Sequence, residues 1–216
     1  MPNLPISQLP DISGSTLGYL GPNAEFAVAQ SGTTYKVKLS NLAPYPTVYG
    51  LFSQIADSVP VSGTTSEGSI IGTGVGTLSV PANGFSVGDS FNVAIMGHLS
   101  SKNNDTLTFR IKTDSVILGT IGPITMSQST NKHFDLQLYF TIRAVGAVGV
   151  ASIISGGQFN NSKDASFTFE GADYTNMNNT SFDTTIPNTL DITAQWSSSD
   201  SQNSIYSEIL ILNKIY

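Results

Sequence analysis

Residues 133–143 read HFDLQLYFTIR: Phe134, Leu136, Leu138, Phe140 and Ile142 alternate with Asp135, Gln137, Tyr139, Thr141 and Arg143. Successive side chains of a strand point to opposite faces. A period of two therefore predicts a β-strand with one face in a core and the other toward solvent. AVGVASIISGG (147–157), reached through Val145-Gly146, is its predicted hairpin partner.

The same pattern extends in both directions. FNVAIMGHL (91–99) puts Phe91, Val93, Ile95 and Leu99 on one face, and TLTFRIK (106–112) sets Leu107, Phe109 and Ile111 against Thr108, Arg110 and Lys112. SVILGTI (115–121) follows a tight turn at 112–114. LFSQIADSVPV (51–61), SIIGTG (69–74) and GTLSVP (76–81) precede them; SFTFE adds Phe167 and Phe169, and TLDITAQW adds Leu190, Ile192, Ala194 and Trp196. No stretch carries the 3.6-residue period of an amphipathic helix. About ten short strands with turn signals between them predict an all-β, antiparallel β-sandwich, and a jelly roll fits their number and spacing.

The last stretch, IYSEILILNKIY (205–216), is apolar on both alternating faces. A strand apolar on both sides must be covered on both sides. The expectation is that Ile205, Ile209, Ile211 and Ile215 face the core. Tyr206, Leu210, Leu212 and Tyr216 then form a subunit interface.

Residues 1–45 read as a separate module and 46–216 as the head domain. Ile6, Leu9 and Ile12 are interleaved with Pro2, Pro5 and Pro10, which hold an extended arm. EFAVAQ (25–30) and YKVKLSNL (35–42) form a hairpin whose Tyr35, Val37 and Leu39 share a face. An arm and two strands bury too little to be stable alone, so Ile6, Leu9, Ile12, Tyr35, Val37 and Leu39 are the expected docking residues. APYPTVYG (43–50) reads as the linker.

Composition narrows the function classes. The net charge is −6, with nine Lys and Arg, so no basic stripe exists to neutralise phosphates and nucleic-acid binding is not expected. No apolar run reaches the roughly 20 residues of a membrane helix, and the N-terminus has neither part of a signal peptide. Membrane association is not expected. Without cysteine there are no disulfides or thiolate metal sites. Charged residues make up 11% of the chain and Ser, Thr, Asn and Gly take their place, as in extracellular or virion-surface β proteins.

Chemistry-bearing motifs are sparse. His98 and His133 have no second ligand near them in sequence, so neither a metal nor another cofactor is expected. No serine sits in a Gly-x-Ser-x-Gly elbow, and Gly72, Gly74 and Gly76 are followed by LSVP rather than a helix, which removes a phosphate cradle. Asp135, Glu170, Asp173 and Asp183 are the carboxylates nearest turns or strand ends, where solubility and turn hydrogen bonds explain them better than glycoside hydrolysis. Tyr174, Phe182 and Trp196 lie amid polar loops and are equally suited to a sugar platform, core packing or a subunit contact. No catalytic residues are assigned, and no enzymatic activity is expected.

The segments PISQLPDISGSTL and EFAVAQSGTTYKVKLSNL resemble the short entry module of phage and large-virus structural proteins, tail-fibre and head-decoration proteins among them. YGLFSQIADSVPVSGTT, GTGVGTLSVPANGFSVGDSF, KHFDLQLYFTIRAVGAVGVASI and the final FDTTIPNTL to NKIY resemble the C-terminal β-domains of such proteins. Their heads are similar to the trimeric jelly rolls of the tumour-necrosis-factor and C1q type. Together these segments cover most of the chain. The resemblance implies a virion surface protein: residues 1–45 docked on a capsid or tail protein, the head outward, and a homotrimer serving display or host attachment through a surface glycan or receptor. The competing expectations are a carbohydrate-binding adhesin and a glycan depolymerase.

Overall fold

The computed structural model describes residues 25–30, 33–38, 49–114, 116–164 and 168–216. The chain divides into two compact units, Met1–Thr47 and Val48–Tyr216. In the first, β1 (Glu25–Gln30) and β2 (Thr33–Lys38) form an antiparallel hairpin that pairs Phe26 with Val37 and Val28 with Tyr35. Ile6, Leu9, Ile12 and Leu39 lie outside the described residues.

The second unit is an all-β sandwich of antiparallel strands, with no helix among the described residues. Its larger sheet contains β3 (Tyr49–Gln54), β4 (Val61–Ser62), β6 (Gly74–Gly76), β8 (Ser90–Ser101), β11 (Ser129–Ala144), β12 (Ser152–Ser162), β13 (Phe169–Asn179) and β15 (Ser204–Lys214). Its smaller sheet contains β5 (Gly68–Ser69), β9 (Thr106–Thr113), β10 (Val116–Thr125) and β14 (Asn188–Trp196), with β7 (Ser79–Val80) paired to β14. The order β3-β15-β8-β11 in one sheet faces β5-β14-β9-β10 in the other. With the chain passing repeatedly between the sheets, this is a jelly roll. The hairpin β12–β13 is inserted before β14 and widens the larger sheet.

The alternating strands fill the core as their pattern requires. Phe134, Leu136 and Leu138 of β11 are fully buried, as are Leu107, Phe109 and Ile111 of β9 and Val93 and Ile95 of β8. The expected β11–β12 pairing is present, with Leu136 opposite Phe159 and Ile142 opposite Ile153. Trp196 closes one part of the core and satisfies its indole by donating to Val61 O at 3.0 Å. Phe85 stacks edge-on against Phe91 and Phe182 at another.

Two sequence expectations fail here. Phe169 is 73% exposed, because it pairs with Ser162 on the outward face of β13, while Ala172 and Tyr174 take the face toward the core. The second concerns β15. Ile205 is buried, but Ile209 and Ile211 are 47% and 39% exposed, while Leu210 and Leu212 are at 0% and 6%. The cause is a β-bulge: Ser207 pairs with Gly97 and Ile209 with the next residue, Met96, so Glu208 is an extra residue and the faces exchange beyond it.

Buried polar groups pin this bulge. Ser207 N donates to Ser58 Oγ at 2.9 Å, and Gln54 Nε2 donates to Ser207 O at 3.0 Å. Ser207 Oγ lies 2.7 Å from Ile70 O and 3.0 Å from Gln54 Oε1, sharing its one proton. Gly97 makes the close approach geometrically feasible, since a Cβ there would collide with Tyr206 O.

Along the opposite edge the two sheets meet without a shared ladder. Ser155 Oγ (2.6 Å) and Asn176 Nδ2 (2.8 Å) donate to Leu118 O, and Asn179 Nδ2 donates to Ile117 O at 2.9 Å. Those carbonyls are exposed to side chains by the irregularity of β10 between Ile117 and Gly119. Tyr174 lays its ring over Gly119, where any side chain would clash with it.

Candidate functional site

Once β15 exchanges faces, the outward surface of the larger sheet gains an apolar stripe. Ile209 neighbours Met96, which neighbours Asp135; Ile211 neighbours Ala94, which neighbours Gln137. Ser53 of β3 flanks Ile211 on the other side. Paired residues of antiparallel strands share a face, so these side chains form adjacent rows. Tyr139, 53% exposed, lies next along β11. Between β3 and β11 the only charge in these two rows is Asp135, whose carboxylate accepts from Gln137 Nε2 at 2.8 Å; the second row reaches Asp173 on β13.

The outward residues of β15 are therefore not the ones the alternation predicted. Leu210 and Leu212 belong to the chain's own core, for the reason the bulge supplies. Tyr206 does point outward, beside His98, with ring centroids 6.2 Å apart. Tyr216 is 67% exposed and lies against Gly88. The residues that replace the two leucines are Ile209 and Ile211. The polar pair Ser207-Glu208, interrupting an apolar run, is the sequence signal that marks the exchange.

A third row crosses the same face: Tyr206, His98 and His133 are consecutive cross-strand partners on β15, β8 and β11. The His98 and His133 rings stand edge-to-face at 6.2 Å. His98 Nδ1 is closed to solvent, and Glu208 Oε2 lies 3.1 Å from it, near enough to pair with an Nδ1 proton though not in line with it. The histidines are 35 positions apart in the chain, and the β8–β11 register brings them together. Among the described residues, no group of three or more His, Asp or Glu side chains is placed to hold a metal ion.

The carboxylates singled out from the sequence do not assemble. Asp135 and Asp173 share the outward face, but by strand spacing and rise they stand roughly 12 Å apart, beyond the separation either glycosidase geometry uses. Glu170 pairs with Asn161, itself opposite the core residue Phe134, so it occupies the other face. There it accepts from Ser127 and pairs with Lys163. Asp183 lies at the far end of β11, where Thr184 bonds Gly146, and it holds its own turn through Thr185 N and Oγ1. The Thr185 hydroxyl and amide bonds keep the Asp183 carboxyl below its usual value.

The proposed aromatic platform also dissolves. Trp196 and Phe182 are each 1% exposed, and Tyr174 is largely buried. Burial pushes the Tyr174 phenol up to about 12. Its hydroxyl has no well-aligned partner, since the neighbouring Ser155 donates to Leu118 O instead.

An open cleft of about 380 Å³ lies on the smaller sheet's side, lined by Val59, Thr64, Ser66, Glu67 and Ile71 among others. Glu67 is committed to structure. It pairs with Lys112 at 2.5 Å and Arg110 at 2.8 Å and accepts from Thr193 Oγ1 at 2.6 Å. Burial pushes its carboxyl up, but the bonds from Lys112 and Thr193 and the two cationic charges outweigh burial and leave it below its usual value.

No protein-family model matches the chain, and no curated protein matches its sequence.

Proposed function

We propose that the chain is a structural protein of a virion surface, a jelly-roll head that assembles as a homotrimer through the outward face of its larger sheet. Residues 1–45 dock it on a capsid or tail protein, and the head is displayed outward for host attachment.

The observation that carries this reading is the stripe of Ile209, Ile211, Met96 and Ala94 at the centre of a broad, sparsely charged sheet face. A solvated face carries polar side chains there. Contiguous aliphatic residues on the middle strands of a sheet suit a protein–protein contact, whose centre is typically depleted of charge. Closed cyclic symmetry would bury the stripe in every subunit and leave no copy of it exposed. The composition and the sequence resemblance supply the virion context.

Light scattering coupled to size-exclusion chromatography tests the assembly. The full chain is expected at three times the 22.8 kDa of one subunit. The Ile209→Asp/Ile211→Asp variant is expected at the subunit mass with an unchanged circular dichroism spectrum. A wild-type monomer at micromolar concentration would overturn the reading.

A further inference from the structure

We propose that the chain's two histidines form a transition-metal site, taking an ion of the Zn2+ or Ni2+ class on the outward face of the larger sheet. The site lies on the same sheet face as the apolar stripe, in the row next to Ile209 and Met96, and is inferred without the assembly read from that stripe.

His98 and His133 are the only histidines in 216 residues, and the β8–β11 register makes them direct cross-strand partners. Side chains so paired have Cβ atoms about 5 Å apart, a spacing two imidazoles bridge through one ion. With metal–nitrogen bonds of about 2.0–2.1 Å, a shared ion holds two ring centroids roughly 5–6 Å apart. Here they are 6.2 Å apart with the rings at 77°. His133 is exposed and free to make the remaining rotation.

Glu208 supplies the second observation. Its carboxylate stands behind His98, 3.1 Å from an Nδ1 that solvent does not reach. The contact is not an aligned hydrogen bond, but a small turn of the Glu208 carboxylate would let it accept from Nδ1 and leave the Nε2 lone pair for the ion. Metal-binding histidines are oriented and made more basic in this way. Glu208 is the extra residue of the β15 bulge, so the irregularity that exchanges the strand's faces also aims this carboxylate at His98. Two neutral nitrogen donors with no thiolate select zinc, nickel or copper over magnesium or calcium. Water completes the coordination. Lys132, the cation beside His133 in sequence, is drawn to Asp164 at 3.3 Å.

The test is calorimetric titration of the tag-free full chain with ZnCl2, repeated with NiCl2. The expected result is one ion per chain, weakened at least tenfold in His98→Asn and in His133→Asn. Glu208→Gln should weaken binding by about tenfold or more, as loss of an outer-shell carboxylate does. Wild type and the His98→Asn/His133→Asn variant titrating alike would overturn the proposal. Should either variant fail to fold, Ni2+ broadening of the imidazole resonances in the wild-type proton NMR spectrum decides: both imidazoles must broaden together, and broadening of one alone or of neither overturns the site. Binding is read per chain, so its failure is distinct from failure of the homotrimer.

Discussion

Ser207 Oγ lies 2.7 Å from Ile70 O, joining residues 137 apart in sequence and bridging from the larger sheet to the segment that follows β5 of the smaller one. It is buried at 0% exposure, at the point where β15 exchanges its faces. Ser207→Ala removes the hydroxyl donor from a buried carbonyl. The expected cost is about 1–3 kcal/mol. Chemical denaturation of the two proteins at equal concentration measures it.

The face exchange makes neighbouring apolar residues of β15 unequal. Leu210→Ala should cost about 2–5 kcal/mol, the range for truncating a fully buried leucine. Ile211→Ala should change the stability of a single subunit by no more than about 0.5 kcal/mol. Denaturation under conditions where both variants are monomeric compares them directly. Equal losses would mean that β15 is not bulged as described.

Glu67 gives the smaller sheet an acid-sensitive support. Its carboxyl is held below the usual 4.5, so its contribution is complete above that value. It is lost as pH falls through the folded-state value, because the unfolded chain takes up the proton first. The wild type should lose stability below pH 4.5, while Glu67→Gln, weaker by about 1–3 kcal/mol at neutral pH, should lose less over that window. Thermal midpoints measured from pH 3 to pH 7 would show the two curves converging.

Tyr174 behaves in the opposite sense. Burial raises its phenol to about 12 from 10, so the neutral form is favoured in the fold and stability falls as pH rises between those values. Since its hydroxyl has no well-aligned partner, Tyr174→Phe should be neutral or stabilising by up to about 1 kcal/mol, and it should blunt that alkaline loss. Thermal unfolding at pH 8 and pH 11 reads both effects. A marked destabilisation at pH 8 would show that the hydroxyl is bonded.

The sandwich was legible in residues such as Phe134 to Ile142, where each apolar side chain repeats a period that only a half-buried strand satisfies. β15 was harder. A period of two carries no memory across an inserted residue, so one extra residue, Glu208, moved Leu210 and Leu212 from the outside to the core. The edge strand β13 escaped because Asp173 to Asn179 are mostly polar, and two of them, Asn176 and Asn179, serve as side-chain donors to β10. His98 and His133 looked isolated for a different reason. Their proximity depends on the pairing of β8 with β11, which are separated in the chain by the two strands β9 and β10 of the other sheet.

The seam formed by Ser155, Asn176 and Asn179 joins the two sheets through side chains instead of a backbone ladder. No ladder joins β12 and β13 to β10: side-chain donors to Ile117 O and Leu118 O cross that line, with the Tyr174 ring packed over Gly119 and Phe159 against Phe109 behind them. The opposite side is joined in the same way but deeper, by the fully buried Ser207 hydroxyl shared between Gln54 Oε1 and Ile70 O. The sandwich is therefore built like a book, bound along β15 and closed by a clasp over Leu118.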